Sequence, residues 1–397
     1  MPAKPSNPSA KPFFRVGVRL TDWAQGFGNR IFGGILDFIR SGVQFELEFE
    51  QPSGGDIEPV KLDKHWDGDG LLVFRYTQEE AEAWRARGIS VVNLSSEEPL
   101  KGPVFPRVTM DNQRCGRMAA DHLMTLGLKH FAFWHDPNRV YSNERLEGFQ
   151  QRLAEEGLEV EVISIPSSTF PKNLRARQIE EMARRQIGRL QPPCGLFAKD
   201  DITAVCAIRA ARQCGLRIPQ DIPVLGVSDD IVYCHATRPP ISSLRFPGRA
   251  IGQASAELLH RMMCGEAVSP HTRIKVPSLG VVVRESTGHV ELPDPIVSAA
   301  LNLIRKADPR APLTAEELGR RVGASREALR VRFREALGRT PKEEIDRIRA
   351  EHACELLKRT NATLQKIAAD CGFNGSDEFC RFFKRVKGVT PGTWRNS

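Results

Sequence analysis

The chain has 397 residues, 41% of them hydrophobic, with 32 glycines and 27 prolines. That length excludes one ordinary domain and suits a soluble α/β protein of two or three domains; no run is long and apolar enough to span a membrane. The formal charge of +8 is uneven, because the stretch from Asp294 to Ser397 holds 21 Lys and Arg against 14 Asp and Glu. A basic excess gathered in one segment is the footprint of phosphate binding, although a solvated helical surface would also carry it.

In chain order, residues 1–12 (MPAKPSNPSAKP) are polar and Pro-rich. They lack the apolar stretch of a secretory signal and read as a disordered tail. Residues 13–286 alternate short apolar runs with amphipathic stretches. FFRVGVRL, DGLLVFR, ISVVNLS, HFAFWHD, EVEVISI, CGLFAKD and IPVLGVSD read as buried strands. GFGNRIFGGILDFIR, TQEEAEAWRARG, NQRCGRMAADHLMTLG, NERLEGFQQRLAEEG and ITAVCAIRAARQCG read as helices. Such alternation gives parallel sheets covered by helices, and there are enough units for two lobes. Ligands in these sheets sit beyond the carboxyl ends of the strands, which places the site in the cleft.

Polar groups cluster at those ends. Thr21, Asp22 and Trp23 follow the first strand, Trp134 and Asp136 close another, and Asp200 and Asp201 follow CGLFA. Ser228 and Asp229 follow VLGV, and Arg145 lies in the first turn of a helix. Carboxylates accept from hydroxyls, Arg donates in a planar fork, and aromatic rings cover a sugar face, so the set suits a polyhydroxylated ligand. Each Asp serves equally well as a helix cap, and core packing explains the two tryptophans as readily as stacking.

A linker is expected over 287–295, where Pro293 and Pro295 break regular structure. Residues 296–397 follow as a helical domain. A helix is expected near Val297–Lys306. Thr314 and Glu317 form a capping box, Leu318 and Val322 face inward, Gly323 turns the chain, and Ser325 caps a helix with Leu329 and Phe333 buried. Arg326, Glu327, Arg330, Val331 and Arg334 fall off that stripe and are free to meet DNA. Thr340 and Glu343 repeat the capping logic ahead of a long helix to about Arg359, with Ile345, Ile348 and Leu356 as its spine. The pattern then recurs: Leu329, Phe333, Gly338, Thr340 and Pro341 are echoed by Phe379, Phe383, Gly388, Thr390 and Pro391. In this second copy Ile367 packs inward, Gly372 turns the chain, and a helix from about Ser376 to Val386 buries Phe379, Phe382 and Phe383. Ser376, Asp377, Cys380 and Arg381 are its groove candidates, with Lys384 and Arg385 toward phosphates. A repeated short helix, glycine turn and basic second helix has the layout of a helix-turn-helix pair.

No catalytic motif emerges. GxxxxGK[ST], HExxH and a GxSxG elbow do not occur, and GFGNRIFGG does not fit GxGxxG. The histidines show no metal-ligand spacing, so neither metal nor cofactor is expected and the chain does not read as an enzyme. The nine cysteines are scattered and read as reduced thiols, which points to the cytoplasm.

The segment VTMDNQRCGRMAADHLMTLGLKHFAFW, followed in order by ERLEGFQQRLAEEG, CGLFAKDDITA, IPVLGVSDD and PPISSL, resembles the LacI/GalR-type periplasmic-binding-protein fold over about Arg15–Arg284. The resemblance implies effector contacts from Arg145, from Asp201 and from the strand-end acid of VLGVSDD. The family usually has Asp directly after the Gly-Val pair; here Ser228 stands there, with Asp229 or Asp230 as possible substitutes. IAADCGFNGSDEFCRFFKRVKGVTPGTWR is similar to the most diagnostic stretch of the AraC/XylS-family DNA-binding domain. The expected fold is therefore an α/β two-lobed periplasmic-binding-protein-like domain followed by an all-α domain with two helix-turn-helix units. Sensor first and reader last resembles the xylose-operon type of regulator. That resemblance implies an activator on a double-stranded DNA operator, a monosaccharide effector such as xylose, a homodimer, and RNA polymerase as a partner. A constitutive regulator with a degenerate cleft, or one with a non-sugar effector, is the alternative.

Overall fold

The computed structural model describes residues 13–20, 25–50, 61–97, 99, 101–166, 171, 173–288, 294–311, 313–360 and 362–396. It divides into two compact units, Met1–His122 with Lys129–Gly288, and Leu123–Leu128 with His289–Ser397.

The first unit begins β1 (Phe14–Arg19), α1 (Gln25–Arg40), β2 (Phe45–Phe49), β3 (Gly70–Val73), α2 (Gln78–Ala86), β4 (Ser90–Asn93), β5 (Arg107–Met110) and α3 (Asn112–Met124). It continues β6 (His130–His135), α4 (Val140–Ala154), β7 (Val160–Ser164), α5 (Arg175–Ile187), β8 (Cys194–Ala198), α6 (Asp201–Gln213), β9 (Val224–Ser228) and α7 (Ile231–His235). β10 (Ser242–Arg245), α8 (Gly248–Met263), β11 (Arg273–Val276) and β12 (Val281–Val282) complete it.

These strands form two six-stranded sheets, ordered β11-β5-β4-β3-β1-β2 and β12-β10-β9-β8-β6-β7. Every pairing is parallel except β12 on β10. The central strands β3 and β8 are buried along their whole length, as continuous apolar runs require when helices cover both faces. The expected two lobes are present, and the chain passes between them three times: after β5, after β10 and after β11. The strands β2, β5, β10, β11 and β12 and the helices α5, α7 and α8 were not expected from the sequence. Two helix pairs cross at glycines. A Cβ on Gly34 or Gly252 would overlap the carbonyl oxygen of Arg249 or Ile31, which locks α1 against α8. Gly116 and Gly148 stand in the same relation to Arg145 and Gln113, between α3 and α4.

The second unit is helical: α9 (Pro295–Lys306), α10 (Ala315–Arg321), α11 (Arg326–Leu337), α12 (Pro341–Arg359), α13 (Leu364–Asp370), α14 (Ser376–Lys387) and α15 (Pro391–Asn396). It holds two apolar cores. Leu318, Leu329, Phe333 and Ile345 belong to one, and Ile367, Phe379, Phe382 and Phe383 to the other. The turn glycines Gly323 (φ 69°) and Gly372 (φ 72°), and the helix-ending Gly338 (φ 69°) and Gly388 (φ 77°), all take the left-handed conformation. Thr340 and Glu343 form the full reciprocal capping box; Thr314 and Ser325 each cap from the side chain, accepting from Glu317 N and Ala328 N. The spine of α12 differs from expectation: Ala350, Ala353 and Leu357 are buried, whereas Leu356 only packs against their edge. Among the described residues no helix is long and apolar enough to cross a membrane.

Candidate functional site

The strand ends of both lobes converge on one cavity of about 480 Å3, a size suited to a small ligand. The first lobe contributes Phe74 and Arg75 after β3, Ser95, Ser96 and Glu97 after β4, and Asn112 after β5. The second contributes Trp134 from β6, Arg139, Tyr141 and Arg145 around the start of α4, Lys199 and Asp200 after β8, and Ser228 at the end of β9. β1–β3 and β6–β8 are the points where the strand order of each sheet reverses, the crevice where open α/β sheets hold ligands.

Arg145 is buried, and its donors meet neutral acceptors. Nε reaches Asn112 Oδ1 at 3.0 Å, Nη1 the carbonyl of Lys199, and Nη2 the sulfur of Met110 at 3.8 Å. Its guanidinium also lies 4.9 Å from the centre of the Tyr141 ring. Lys199 pairs with Asp200 at 2.6 Å and donates to the Tyr141 hydroxyl at 3.2 Å. Burial alone would lower the Lys199 ammonium, but Asp200 and Tyr141 outweigh it and hold it above its ordinary value. Burial likewise works to raise Asp200; Lys199 and the N–H and hydroxyl of Thr203 prevail and set it at about 2. Glu97 accepts from Val140 N at 2.9 Å, a hydrogen bond between the lobes. Burial raises its carboxyl despite that bond and the nearby Arg139 and Arg75.

Of the expected effector residues, the structure brings Trp134, Arg145, Asp200 and Ser228 into the cavity wall. Thr21, Asp22 and Trp23 lie outside the described residues. Asp136, Asp201 and Asp229 are not part of the wall. Asp136 is fully buried and caps its own turn, accepting from Asn138 N at 3.2 Å. Asp201 sits one residue past the cap of α6, and one helical residue turns a side chain by about 100°. Its carboxylate therefore points beneath β9, where Gly226 leaves room because a Cβ there would overlap Asp201 Oδ1. There it accepts from Ser243 Oγ at 2.6 Å and Asp230 N at 2.9 Å, and burial pushes it up to about 6. Asp229 is held by Arg284 at 2.6 Å and Arg245 at 3.2 Å. Ser228 (φ 127°) and Asp229 (φ 52°) occupy backbone regions that such residues rarely adopt, and the Asp201 and Ser243 bonds hold that turn. The wall residues that sequence reasoning missed, chiefly Arg75, Glu97, Arg139, Tyr141 and Lys199, come from first helical turns and loops that carry no periodic signal.

In the second unit the expected contact residues lie on the outer faces of α11 and α14. Arg326, Glu327, Val331 and Arg334 are exposed, as are Asp377, Arg381, Lys384 and Arg385, while Arg330, Ser376 and Cys380 are half-buried. Arg330 is paired with Glu327 at 2.9 Å on its own helix, and Arg385 with Asp346 of α12 at 3.0 Å. α12 joins the two copies; its 19 residues give a rod of about 28 Å.

Two family models match: a periplasmic binding protein-like domain over residues 120–287 and a helix-turn-helix domain over residues 318–397. The chain is 25% identical over 378 residues to the xylose operon regulatory protein of Escherichia coli strain K12, with 94% of each covered. It is 30% identical over 287 residues to the HTH-type transcriptional regulator CelR of Thermobifida fusca, covering 70% of this chain and 76% of that relative. The chain belongs to the HTH-type transcriptional regulators, with a periplasmic-binding-protein-like sensor and a C-terminal AraC-type reader. A solved structure described as the xylose-binding transcription activator xylR shares the fold at TM-score 0.59 and 24% identity, over 97% of this chain and 98% of that one. A CelR–cellobiose complex matches at TM-score 0.51 and 22% identity, over 68% of this regulator and 84% of that chain. The fold is thus two parallel-sheet lobes followed by an all-helical reader, and the regulator binds DNA through that reader.

Proposed function

We propose that this regulator is a transcription activator whose DNA binding is switched by a small sugar-like molecule held between the lobes of the first unit. The observation that carries the reading is a cavity shared by the strand ends of both lobes, with aromatic walls (Phe27, Phe74, Trp134, Tyr141, Phe246) beside hydroxyl, amide and guanidinium groups. Of the strand-end residues, Arg145, Asp200, Trp134 and Ser228 are the favoured contacts; Asp201 and Asp229 act by holding the Ser228 turn. The xylose and xylulofuranose named for related proteins support a monosaccharide or a derivative of one, and the cellobiose of CelR supports a sugar effector more broadly. A ligand that touches both lobes favours the arrangement in which Glu97 meets the start of α4, and it shifts the equilibrium only by its preference for that arrangement.

Double-stranded operator DNA is the partner of α11 and α14, which enter successive major grooves about 34 Å apart. RNA polymerase is the further partner of an activator. A homodimer is the working form, supported by Ile231 and Val232, which are 71% and 68% exposed on α7. None of the nine cysteines forms a disulfide, in keeping with a cytoplasmic protein. The test is operator binding by the full chain, read by footprinting upstream of its own gene with and without a panel of monosaccharides and their acid and phosphate derivatives. A change in protection with one compound is expected. Identical footprints across the panel would remove the sensing reading and leave a constitutive regulator.

A further inference from the structure

The charge of the described cavity wall does not match a neutral sugar. That wall holds five cationic side chains, Arg75, Arg139, Arg145, Arg175 and Lys199, against two carboxylates, Glu97 and Asp200. Both carboxylates are already engaged, Asp200 by Lys199 and Thr203 and Glu97 by Val140 N. Among the described strand-end acids, Asp201 is turned toward Ser243 and Asp229 toward Arg245 and Arg284. Among the described wall residues no carboxylate is left unengaged for the hydroxyls of a neutral sugar, whereas the cations outnumber the carboxylates.

Arg145 sharpens the point. It is only 7% exposed, yet among the described residues no carboxylate pairs with it. A buried charge normally has an opposite partner, because leaving it uncompensated is costly. The guanidinium groups of Arg75 and Arg139 also have no hydrogen-bonding partner among the described residues, and both lie close enough to Glu97 to act on its carboxyl.

Resting on the cavity reading above, we propose that the effector is an anionic sugar derivative, a monosaccharide bearing a carboxylate or a phosphate, whose charged group is received by Arg75 and Arg139 with Arg145 behind them. The aromatic walls then take the carbon skeleton, and Ser95, Ser96 and Asn112 the remaining hydroxyls. Charge-assisted hydrogen bonds of this kind are worth enough for about tenfold to a hundredfold in affinity each.

Titration calorimetry on the full chain tests this with three matched arms: D-xylose and D-glucose; D-xylonate, D-gluconate and D-glucuronate; xylose 5-phosphate and glucose 6-phosphate. An acid or a phosphate is expected to bind at least tenfold tighter than its neutral parent and to weaken as NaCl rises from 0.05 to 0.5 M, on the order of the screening expected for an exposed pair. Which charged arm responds tells carboxylate from phosphate. R139Q and R75Q should each lose about tenfold or more for the charged ligand, whereas R212Q, on the surface away from the cavity, should lose nothing. A neutral sugar that binds as tightly as its charged derivative, and is insensitive to R139Q, would overturn the charge assignment and leave sugar sensing intact. Silence in all three arms would overturn both.

Discussion

Glu344 offers a sharp test of how the reader is held together. Its side chain is fully buried in the first turn of α12, where it accepts from Arg339 Nε at 2.6 Å and from Arg347 Nε and Nη2 at 2.9 and 2.7 Å. Burial alone would raise its carboxyl; the two guanidiniums outweigh burial and bring it from 4.5 to about 2. A shift of that size corresponds to about 3 kcal/mol of stability at neutral pH. Because the folded value lies below the ordinary one, the contribution is complete above about pH 5 and fades as pH falls toward 2. Glu344→Gln keeps the volume but leaves two partly buried guanidiniums facing an amide, a change in the range measured for broken buried pairs, about 3–5 kcal/mol. The assay is hydrogen exchange by mass spectrometry on the full chain at pH 7. Peptides from α12 should lose about two decades of protection, while peptides from β8 serve as the internal reference. Thermal melts followed by circular dichroism extend the comparison to acid, where the gap between wild type and variant should shrink by more than half near pH 3. Equal protection of α12 in the two proteins would refute the ion triad as a stabilising element. A gap that persists unchanged at pH 3 would refute its electrostatic origin.

Arg330→Ala and Arg381→Ala should each weaken binding to a specific duplex by about 5- to 150-fold, the value of about 1–3 kcal/mol per base contact, with unchanged circular dichroism; fluorescence anisotropy that shows no loss in either would remove α11 and α14 from the grooves. Asp201→Asn should lower effector affinity by loosening the Ser228 turn, without touching the ligand. Because burial raises Asp201 from 3.8 to about 6, its contribution to stability is present below about pH 4 and is lost as pH rises through 6; the melting difference between wild type and this variant should change across that window, and a flat difference would contradict the assignment. Gly252→Ala should lower the melting temperature of the first unit, because a Cβ there meets the Ile31 carbonyl and overpacking costs about 1–3 kcal/mol; an unchanged midpoint would mean that α1 and α8 yield freely.

The reader was the more legible half in sequence, for a physical reason. Each copy must fill a small core with the same few side chains and end its second helix on a left-handed residue, so Leu329 and Phe379, Phe333 and Phe383, and Gly338 and Gly388 stand in register. The central strands of the sensor were legible too, because burial on both faces leaves unbroken apolar runs. β2, with alternating FELEF, and the short β10 to β12 carry no such run. α12 shows the limit of periodicity: a spine built partly from Ala350 and Ala353 allows close packing without apolar bulk, which is why Leu356 stood out instead of Leu357.

The cavity was legible as a place and much less so as a chemistry. Strand ends can be found from apolar runs, and an acid at a strand end is visible at once. What the pattern cannot register is where that acid is spent. Asp200 and Asp201 are neighbours, yet the first faces the cavity as the cap of α6 and the second anchors the turn beneath β9. That difference depends on the phase of one helical residue and on the missing side chain of Gly226, 25 positions downstream. The cations have the opposite history. Arg75, Arg139, Arg145 and Lys199 belong to separate elements of two lobes and form no run in the sequence, but the convergence of parallel strand ends gathers them around one volume. An acid count along the chain therefore points to neutral hydroxyls, whereas the folded wall presents a surplus of positive donors. Among the described residues it is this surplus, rather than the acids that first mark the strand ends, that should decide which ligand the sensor accepts.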